Sequence, residues 1–345
     1  MNLIESDRNT QRLIDLPALL ERFHNVKVLV LGDLILDVYH VGNASRISPE
    51  APIPILLNPT TEYRLGGAAA VAAMCAALGA NVSLVGVTGA DRNGTTVRTL
   101  AELAGVSLVA TVDSTRPTTT KERICGIASG RHRQQLGRMD HESTEPLNRV
   151  TEASLCEIIH GALDCNPDII LVSDYGKGVC GETIVLQLQS VFQKVIVDPP
   201  KVSGWFEKYK GVSCVVPNRQ EAAGYSARQI QIRLGSDAVV VKLDEEGCEL
   251  CCYDAPHDAY SGAHIPTQSK AVHDVTGAGD QFLATLGCAR AVGVEWFAAA
   301  QLANRTAGVQ VERHGCVPVT PGELSAICRE KAGGLMDIGT SFHLR

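Results

Sequence analysis

Aromatic residues are scarce in this chain, 4% of 345 positions, and cations are outnumbered, 31 Lys and Arg against 38 Asp and Glu. A net charge of -7 excludes a general grip on nucleic acid phosphates or anionic lipid, although a local basic cluster for a small phosphorylated ligand stays open. No window approaches the roughly 18 apolar residues of a membrane-spanning helix. Internal repeats and Ser/Gly-rich linkers are also missing, so one principal domain over 1–345 is the simplest organisation. The opening MNLIESDRNTQRLIDLPALL lacks the basic and apolar regions of a secretory leader. The twelve Cys are therefore expected as reduced thiols in a cytoplasmic protein.

What is present is 45% hydrophobic and 20% charged, a globular composition. Apolar spacing over Leu13 to Phe23 predicts a helix, and the β-branched run Val26 to Leu31 predicts a buried parallel strand. Val38 to Arg64 interleaves Pro49, Pro52, Pro54 and Pro59 with short alternating runs, as edge strands outside the main sheet do. Gly66-Gly67 then opens an Ala-rich helix to Leu78, followed by a strand over Val82 to Val87. A second extended stretch, 111–141, breaks at Gly130-Arg131 like a hairpin, and with about 38–64 it is expected to form a β lid. Strand-like runs recur at Asp168–Ser173, Lys194–Val197, Cys214–Val216 and Ala238–Leu243, which predicts a mostly parallel sheet in an α/β fold. Two helices broken near Gly293 should fill Gly277 to Gln310.

The strongest short signal is Asp274-Val-Thr-Gly-Ala-Gly-Asp280. Small residues at Gly277, Ala278 and Gly279 let N–H groups close around an anion at a helix N-terminus. A carboxylate there repels phosphate, but Asp280 makes sense as a base for a hydroxyl attacking a phosphoryl group. A loop with an Asp N-cap would read the same way if the tetrad stood alone. The pattern lacks the Lys-Ser/Thr of a Walker loop and the third Gly of a dinucleotide fingerprint.

With this signature the chain resembles the PfkB (ribokinase-like) carbohydrate kinases. The N-terminal counterpart is Gly66-Gly67-Ala-Ala-Ala-Val-Ala72, followed in order by Leu78-Gly79-Ala80 and Val85-Gly86-Val87-Thr88-Gly89-x-Asp91. Within that family Gly32-Asp33-Leu-Ile-Leu-Asp37, Ser45-Arg-Ile-Ser-Pro-Glu-Ala-Pro52, Thr120-Lys-x-Arg123, Gln134-Gln135, Arg138-Met-Asp140 and Ser173-Asp174-Tyr175-Gly-Lys177-Gly178 are similar to the heptose 7-phosphate kinases of bacterial ADP-heptose synthesis.

The resemblance implies a three-layer α/β/α sandwich with a small β-sheet lid. It also implies transfer from ATP to the anomeric O1 of a heptose 7-phosphate, with Mg²⁺ and room for a monovalent cation. Asp37, Asp33, Gly66, Gly67, Lys121, Arg123, Asp174 and Lys177 would face the sugar, and Thr276, Gly277, Gly279, Asn218, Lys242, Gly247 and Asn304 the nucleotide. Asn218-Arg-Gln-Glu221 at a helix start would organise hydrated Mg²⁺, and it would equally serve as a capping box. A phosphorylated substrate needs fixed cations, for which Lys121, Arg123, Arg131, Arg138 and Lys177 are candidates, with Arg131 and Arg133 also reading as a solvated hairpin tip. A homodimer through the lid is expected, with adenylyl transfer left to a separate nucleotidyltransferase.

Cys248-x-x-Cys251 with His257 and His264 is weak as a zinc site and reads better as core thiols. Three positions depart from the family pattern: Ala70 where a sugar-contacting Asn is usual, Asp244 near the nucleotide loop, and Gln281 after the signature. They keep open another sugar or nucleoside kinase of the family, acting on ribose or fructose, and a non-catalytic nucleotide or sugar-phosphate regulator.

Overall fold

The computed structural model describes residues 13–127, 133–202, 204–254, 259–267, 274–313, 315–332 and 335–337. Strand β1 (Leu13–Asp15) precedes α1 (Leu16–Phe23), so the helix expected from Leu13 starts at Leu16 because the preceding residues pair with Leu335–Asp337. Next come β2 (Lys27–Gly32), β3 (Leu34–Ile47), β4 (Pro54–Gly67), α2 (Ala68–Ala77), β5 (Asn81–Gly89), α3 (Arg92–Leu103) and β6 (Ser107–Asp113). Strands β7 (Thr120–Ile127) and β8 (Gln134–His141) lead into α4 (Arg149–Asp164), β9 (Ile169–Ser173), α5 (Glu182–Leu186), β10 (Val195–Asp198) and α6 (Trp205–Lys208). The chain continues through β11 (Cys214–Val215), α7 (Ala227–Leu234), β12 (Ala238–Lys242), β13 (Cys248–Asp254), β14 (Ala259–Ile265), α8 (Ala278–Ala291), α9 (Trp296–Gln310), α10 (Pro321–Ala332) and β15 (Leu335–Asp337).

The main sheet runs β14-β13-β12-β11-β10-β9-β2-β5-β6, with only β13 and β14 antiparallel to their neighbours. Its central strands are apolar without alternation because both faces are covered. Val28, Val30 and Leu171 pack with residues of α1, α2, α8 and α9, while Leu29, Leu31 and Val172 pack with residues of α4 to α7 on the other side. Asn148 starts α4 by accepting from the N–H of Val150 and Thr151, and a Ser226–Gln229 capping box starts α7.

The second sheet, β4-β3-β7-β8, joins the two extended excursions through a parallel β3–β7 pairing. The second excursion is shorter than expected: Thr111 to Asp113 belong to β6 and pair with Val87 to Gly89 in the main sheet. Arg131 and His257 lie outside the described residues. Arg133, expected at a solvated tip, forms an ion pair with Glu62 of β4 at 2.7 Å.

Cys248 and Cys251 lie on β13, where residues three apart face opposite sides, and each is buried in a different half of the core. They cannot ligate one ion together.

Helix α8 sits closely on β9, since a Cβ on Gly287 would lie 2.5 Å from Leu171 Cδ2. Replacing the fully buried Leu171 with Ala should cost about 2–5 kcal/mol in denaturant unfolding, because the packed helix cannot collapse into the space. A loss below about 1 kcal/mol would mean that α8 is not seated there.

Candidate active site

The parallel strands end along one edge of the main sheet, and the loops leaving them carry much of the expected site: Asp33 after β2, Asp174 and Lys177 after β9, Asp198 closing β10, Asn218 after β11, and Lys242 closing β12. Asp33 is 1% exposed, and its carboxylate accepts from the N–H groups of Tyr175 (2.7 Å), Lys177 (3.1 Å) and Val179 (3.4 Å). Burial first, then the neighbouring Asp174, pushes its pKa up to about 6. Asp174 accepts from Gly176 N–H, from Lys208 Nζ and from Tyr209 Oη. Both carboxylates are thus engaged in shaping the 174–179 loop.

Helix α8 begins after Gly277, whose φ of 81° suits glycine, and a Cβ there would lie 2.7 Å from Cys316 Sγ. Ala278 N–H turns back to Val275 O at 3.3 Å. That leaves Gly277 and Gly279 as N–H donors with no acceptor among the described residues.

Asp280, in the first turn, is 4% exposed and accepts from Tyr175 Oη through Oδ1 at 2.9 Å. Its pKa is pushed up to about 7, chiefly by burial and then by Asp198, with Asp37 adding to the rise and Tyr175 and Lys242 opposing it. Asp37 is also buried; it pairs with Arg123 at 2.5 Å, and Cys316 Sγ stands 3.8 Å from its second oxygen. Gly66 and Gly67, which end β4, pack against this carboxylate, since a Cβ on Gly66 would lie 2.9 Å from Asp37 Oδ2. Asp37, Cys316, Gly277 and Asp280 therefore meet in one place.

Lys242 Nζ donates to both oxygens of Asp198 at 2.8 Å and stands beside Gly279. Thr276 N–H and Oγ1 both donate to Asp274 Oδ1, which fixes the turn entering α8. Gly247 lies against the end of β14, and Asn304 Nδ2 donates to Pro266 O at 3.0 Å, so these two residues form a wall around 265–267.

Asn218 is not at a helix start, because it makes an isolated parallel β-bridge with Lys242 and 219–224 forms turns. Its N–H and Nδ2 donate to the two oxygens of Glu221 at 2.7 Å, while its Oδ1 accepts from the N–H of Gln220 and Glu221. This is the reciprocal capping pattern. Burial and then Asp198 raise Glu221 to about 7, with Lys242 opposing, so extra positive charge would be welcome there. Among the described residues no three His, Cys, Asp or Glu are grouped to hold a metal directly. The raised Glu221 carboxyl beside Asp198 is a place where a hydrated cation would relieve repulsion.

Across the cleft, the lid supplies cations. Lys121 stands 5.0 Å from the centre of the Tyr175 ring. Its pKa is lowered mainly by burial, with Arg123, Lys177 and Arg138 adding like-charge repulsion and Asp37 opposing. Lys177 pairs with Glu142 at 2.7 Å and Arg138 with Asp140 at 2.8 Å, so each cation is aimed by a carboxylate.

The three departures have local explanations. Ala70 is 2% exposed within the core cluster that includes α2 and α8. Asp244 is turned to solvent and paired with Arg219 at 3.4 Å. Gln281 is fully buried and accepts from Val319 N–H at 3.1 Å, tying the 315–320 segment to α8. Sequence reasoning missed Tyr175 and Cys316 as neighbours of Asp280 and Asp37. Tyr175 sat inside a recognised motif, whereas nothing around Cys316 distinguished it from the core thiols.

The profile of the pfkB family carbohydrate kinases matches residues 25–322. The chain is 38% identical over 322 residues to a D-beta-D-heptose 7-phosphate kinase of Bordetella bronchiseptica, covering 88% of this chain and 97% of that protein. It is 36% identical over 327 residues to the bifunctional protein HldE of Trichlorobacter lovleyi, covering 90% of this chain and 64% of that longer protein. The fold is similar to that of phosphofructokinase-2 from Escherichia coli, with a TM-score of 0.68 at 16% identity over 88% of this chain and 97% of that one. This likeness gives the fold its ribokinase-like character.

The elevated pKa of Asp280 carries a stability consequence. A folded pKa of about 7 against an ordinary 3.8 means that the native state holds a proton which the unfolded chain has released, so this contribution weakens as pH rises through that window. Asp280→Asn should therefore be more stable than the parent by on the order of 2–4 kcal/mol at pH 8 and gain nothing at pH 4. Equal stability at both pH values in urea titrations would contradict the buried, raised carboxylate.

Proposed function

The chain belongs to the pfkB family of carbohydrate kinases, and from that premise we propose that it phosphorylates the anomeric O1 of D-glycero-D-manno-heptose 7-phosphate with ATP, giving the 1,7-bisphosphate for ADP-heptose and lipopolysaccharide core assembly. The observation that carries the reading is a buried carboxylate, Asp280, at the start of α8, facing a lid whose Lys121 lies among Arg123, Lys177 and Arg138. A base for a hydroxyl and a separate seat for an existing phosphate are what a sugar-phosphate kinase needs. The likeness to a named heptose 7-phosphate kinase over most of both chains supports the substrate.

In this reading Asp37 accepts a sugar hydroxyl while Arg123 holds its other oxygen, and the Gly66-Gly67 end of β4 lets the sugar ring approach the backbone. Asp280 takes the proton of the attacking O1 hydroxyl. Charge spreading over the transferring phosphoryl oxygens is met by the Gly277 and Gly279 N–H groups and by Lys242 beside them. Mg²⁺, when bound near Glu221 and Asn218, would neutralise charge on the ATP phosphates. Thr276, Gly247 and Asn304 would frame the nucleotide. Lid closure excludes water, which would otherwise compete for the phosphoryl group.

The lid exposes Ile47, Ile53, Tyr63, Leu136 and Met139. Apolar side chains on strands with open edges support a homodimer through the lid, for which solution mass is the check.

Coupled ADP release with Mg-ATP should depend on heptose 7-phosphate and not on ribose or fructose. Release with ribose or fructose instead would assign the chain to another sugar kinase, and ATP binding with no release would assign it to a regulator. Asp280→Asn should lower turnover by about 10²–10⁴-fold while sparing ATP affinity. Because the base must be deprotonated, kcat/KM should fall as pH drops below about 7, and a flat profile from pH 6 to 8 would remove the assignment.

A further inference from the structure

We propose that Tyr175 is a positioning residue for the base: its hydroxyl fixes the Asp280 carboxylate and its ring seats the Lys121 ammonium, so one side chain ties the proton acceptor to the cations that face the sugar phosphate. The inference rests on the kinase reading of this site and adds to it a residue that links its two halves.

The backbone around Tyr175 is clamped. Its N–H donates to Asp33 at 2.7 Å, Lys177 N–H donates to the same oxygen, and Arg116 Nη1 donates to Lys177 O at 3.0 Å. From this fixed point the phenol reaches Asp280 Oδ1 at 2.9 Å. Among the described residues the other oxygen, Oδ2, accepts no hydrogen bond, so one oxygen is held while its partner is open to take a proton. Tyr175 is exposed as a whole residue, but lost hydration around its hydroxyl and the nearby Asp280 raise the phenol well above the usual tyrosine range, which favours its role as donor.

The Lys121 ammonium lies 5.0 Å from the centre of the same ring, and the electron-rich face of the ring attracts it. A shift of the tyrosine would therefore disturb both the base and the phosphate seat. The groups facing Asp280 are Tyr175 from the loop after β9, Asp198 from β10, Lys242 from β12, Asp37 from β3 and Cys316 from the segment after α9. The two acids disfavour its charge, while Tyr175 and Lys242 favour it, and the Cys316 thiol, itself raised by burial and by Asp280, stays neutral. Removing the phenol hydroxyl leaves Lys242 as the one favourable member of this set.

Two variants separate the two contacts. Tyr175→Phe keeps the ring and should lower kcat about 10-fold, with the acid limb of kcat/KM displaced to higher pH by about one unit and KM for the sugar phosphate little changed. Tyr175→Leu also loses the ring and should add about a 3- to 5-fold rise in KM for the sugar phosphate with KM for Mg-ATP unchanged.

A substrate-free readout stands apart from the kinase reading: the ¹³C carboxyl titration of Asp280, assigned by its loss in Asp280→Asn. The midpoint should rise in Tyr175→Phe and fall when 3-fluorotyrosine, a stronger donor, replaces Tyr175. Opposite displacements in these two proteins would support the inference even if no sugar released ADP. Wild-type midpoints in both, or a Tyr175→Phe enzyme with unchanged kcat and pH profile, would overturn it. If Tyr175→Phe melted below the assay temperature, the fluorotyrosine protein alone would decide by the same midpoint.

Discussion

A carboxylate kept out of water at the first turn of a helix is the constraint around which this molecule is arranged. Asp280 is disfavoured there by lost hydration and by Asp198 and Asp37 nearby, and it is favoured by the Tyr175 hydroxyl and the Lys242 ammonium. The helix dipole and the N–H groups of Gly277 and Gly279 add positive potential at the same point. A fold seeking stability alone would place an amide or an apolar residue at this position. The retained acid costs stability at neutral pH and leaves a group whose proton affinity lies near the pH at which a base operates.

The rest of the cleft is built to hold that acid in place. Asp33 gathers three N–H groups of the 175–179 segment and thereby aims Tyr175. Gln281, next to the base, fixes the 315–320 segment, which carries Cys316 up to Asp37. Gly287 lets α8 sit down on Leu171 of the central sheet, so the helix cannot tilt without disturbing the core. Each of these is a buried polar or close-packed contact, and loosening any one of them would blur the geometry at Asp280.

Charge is divided between the two sheets, with an acid-rich edge on one and a group of cations on the other. The edge of the main sheet carries Asp198, Glu221 and Lys242, an arrangement that gains from added cations. The lid carries Lys121, Arg123 and Arg138, which face an anion better than they face one another. With a net charge of -7 for the whole chain, this local positive cluster is a product of placement rather than of composition.

Much of the architecture was legible in the chain itself. Unbroken apolar runs such as Val28 to Leu31 marked strands covered on both faces, the break at Gly293 separated α8 from α9, and the Gly-Ala-Gly-Asp tetrad located the start of α8. These are local signals, set by side-chain periodicity and by the backbone freedom of glycine. Contacts between residues far apart in sequence decided the rest. Asp33 and Asp37 looked alike as acids near a strand end, yet one is consumed by a loop more than 140 positions away while the other opens toward Asp280. Tyr175 and Cys316 entered the site only because β9, β3 and the segment after α9 converge on one edge, and pairing of that range is settled by packing and by the burial of polar groups. The sequence determined which segments would be strands and where the helix bearing the acid begins; only the tertiary structure decided which acids are desolvated and what each one faces.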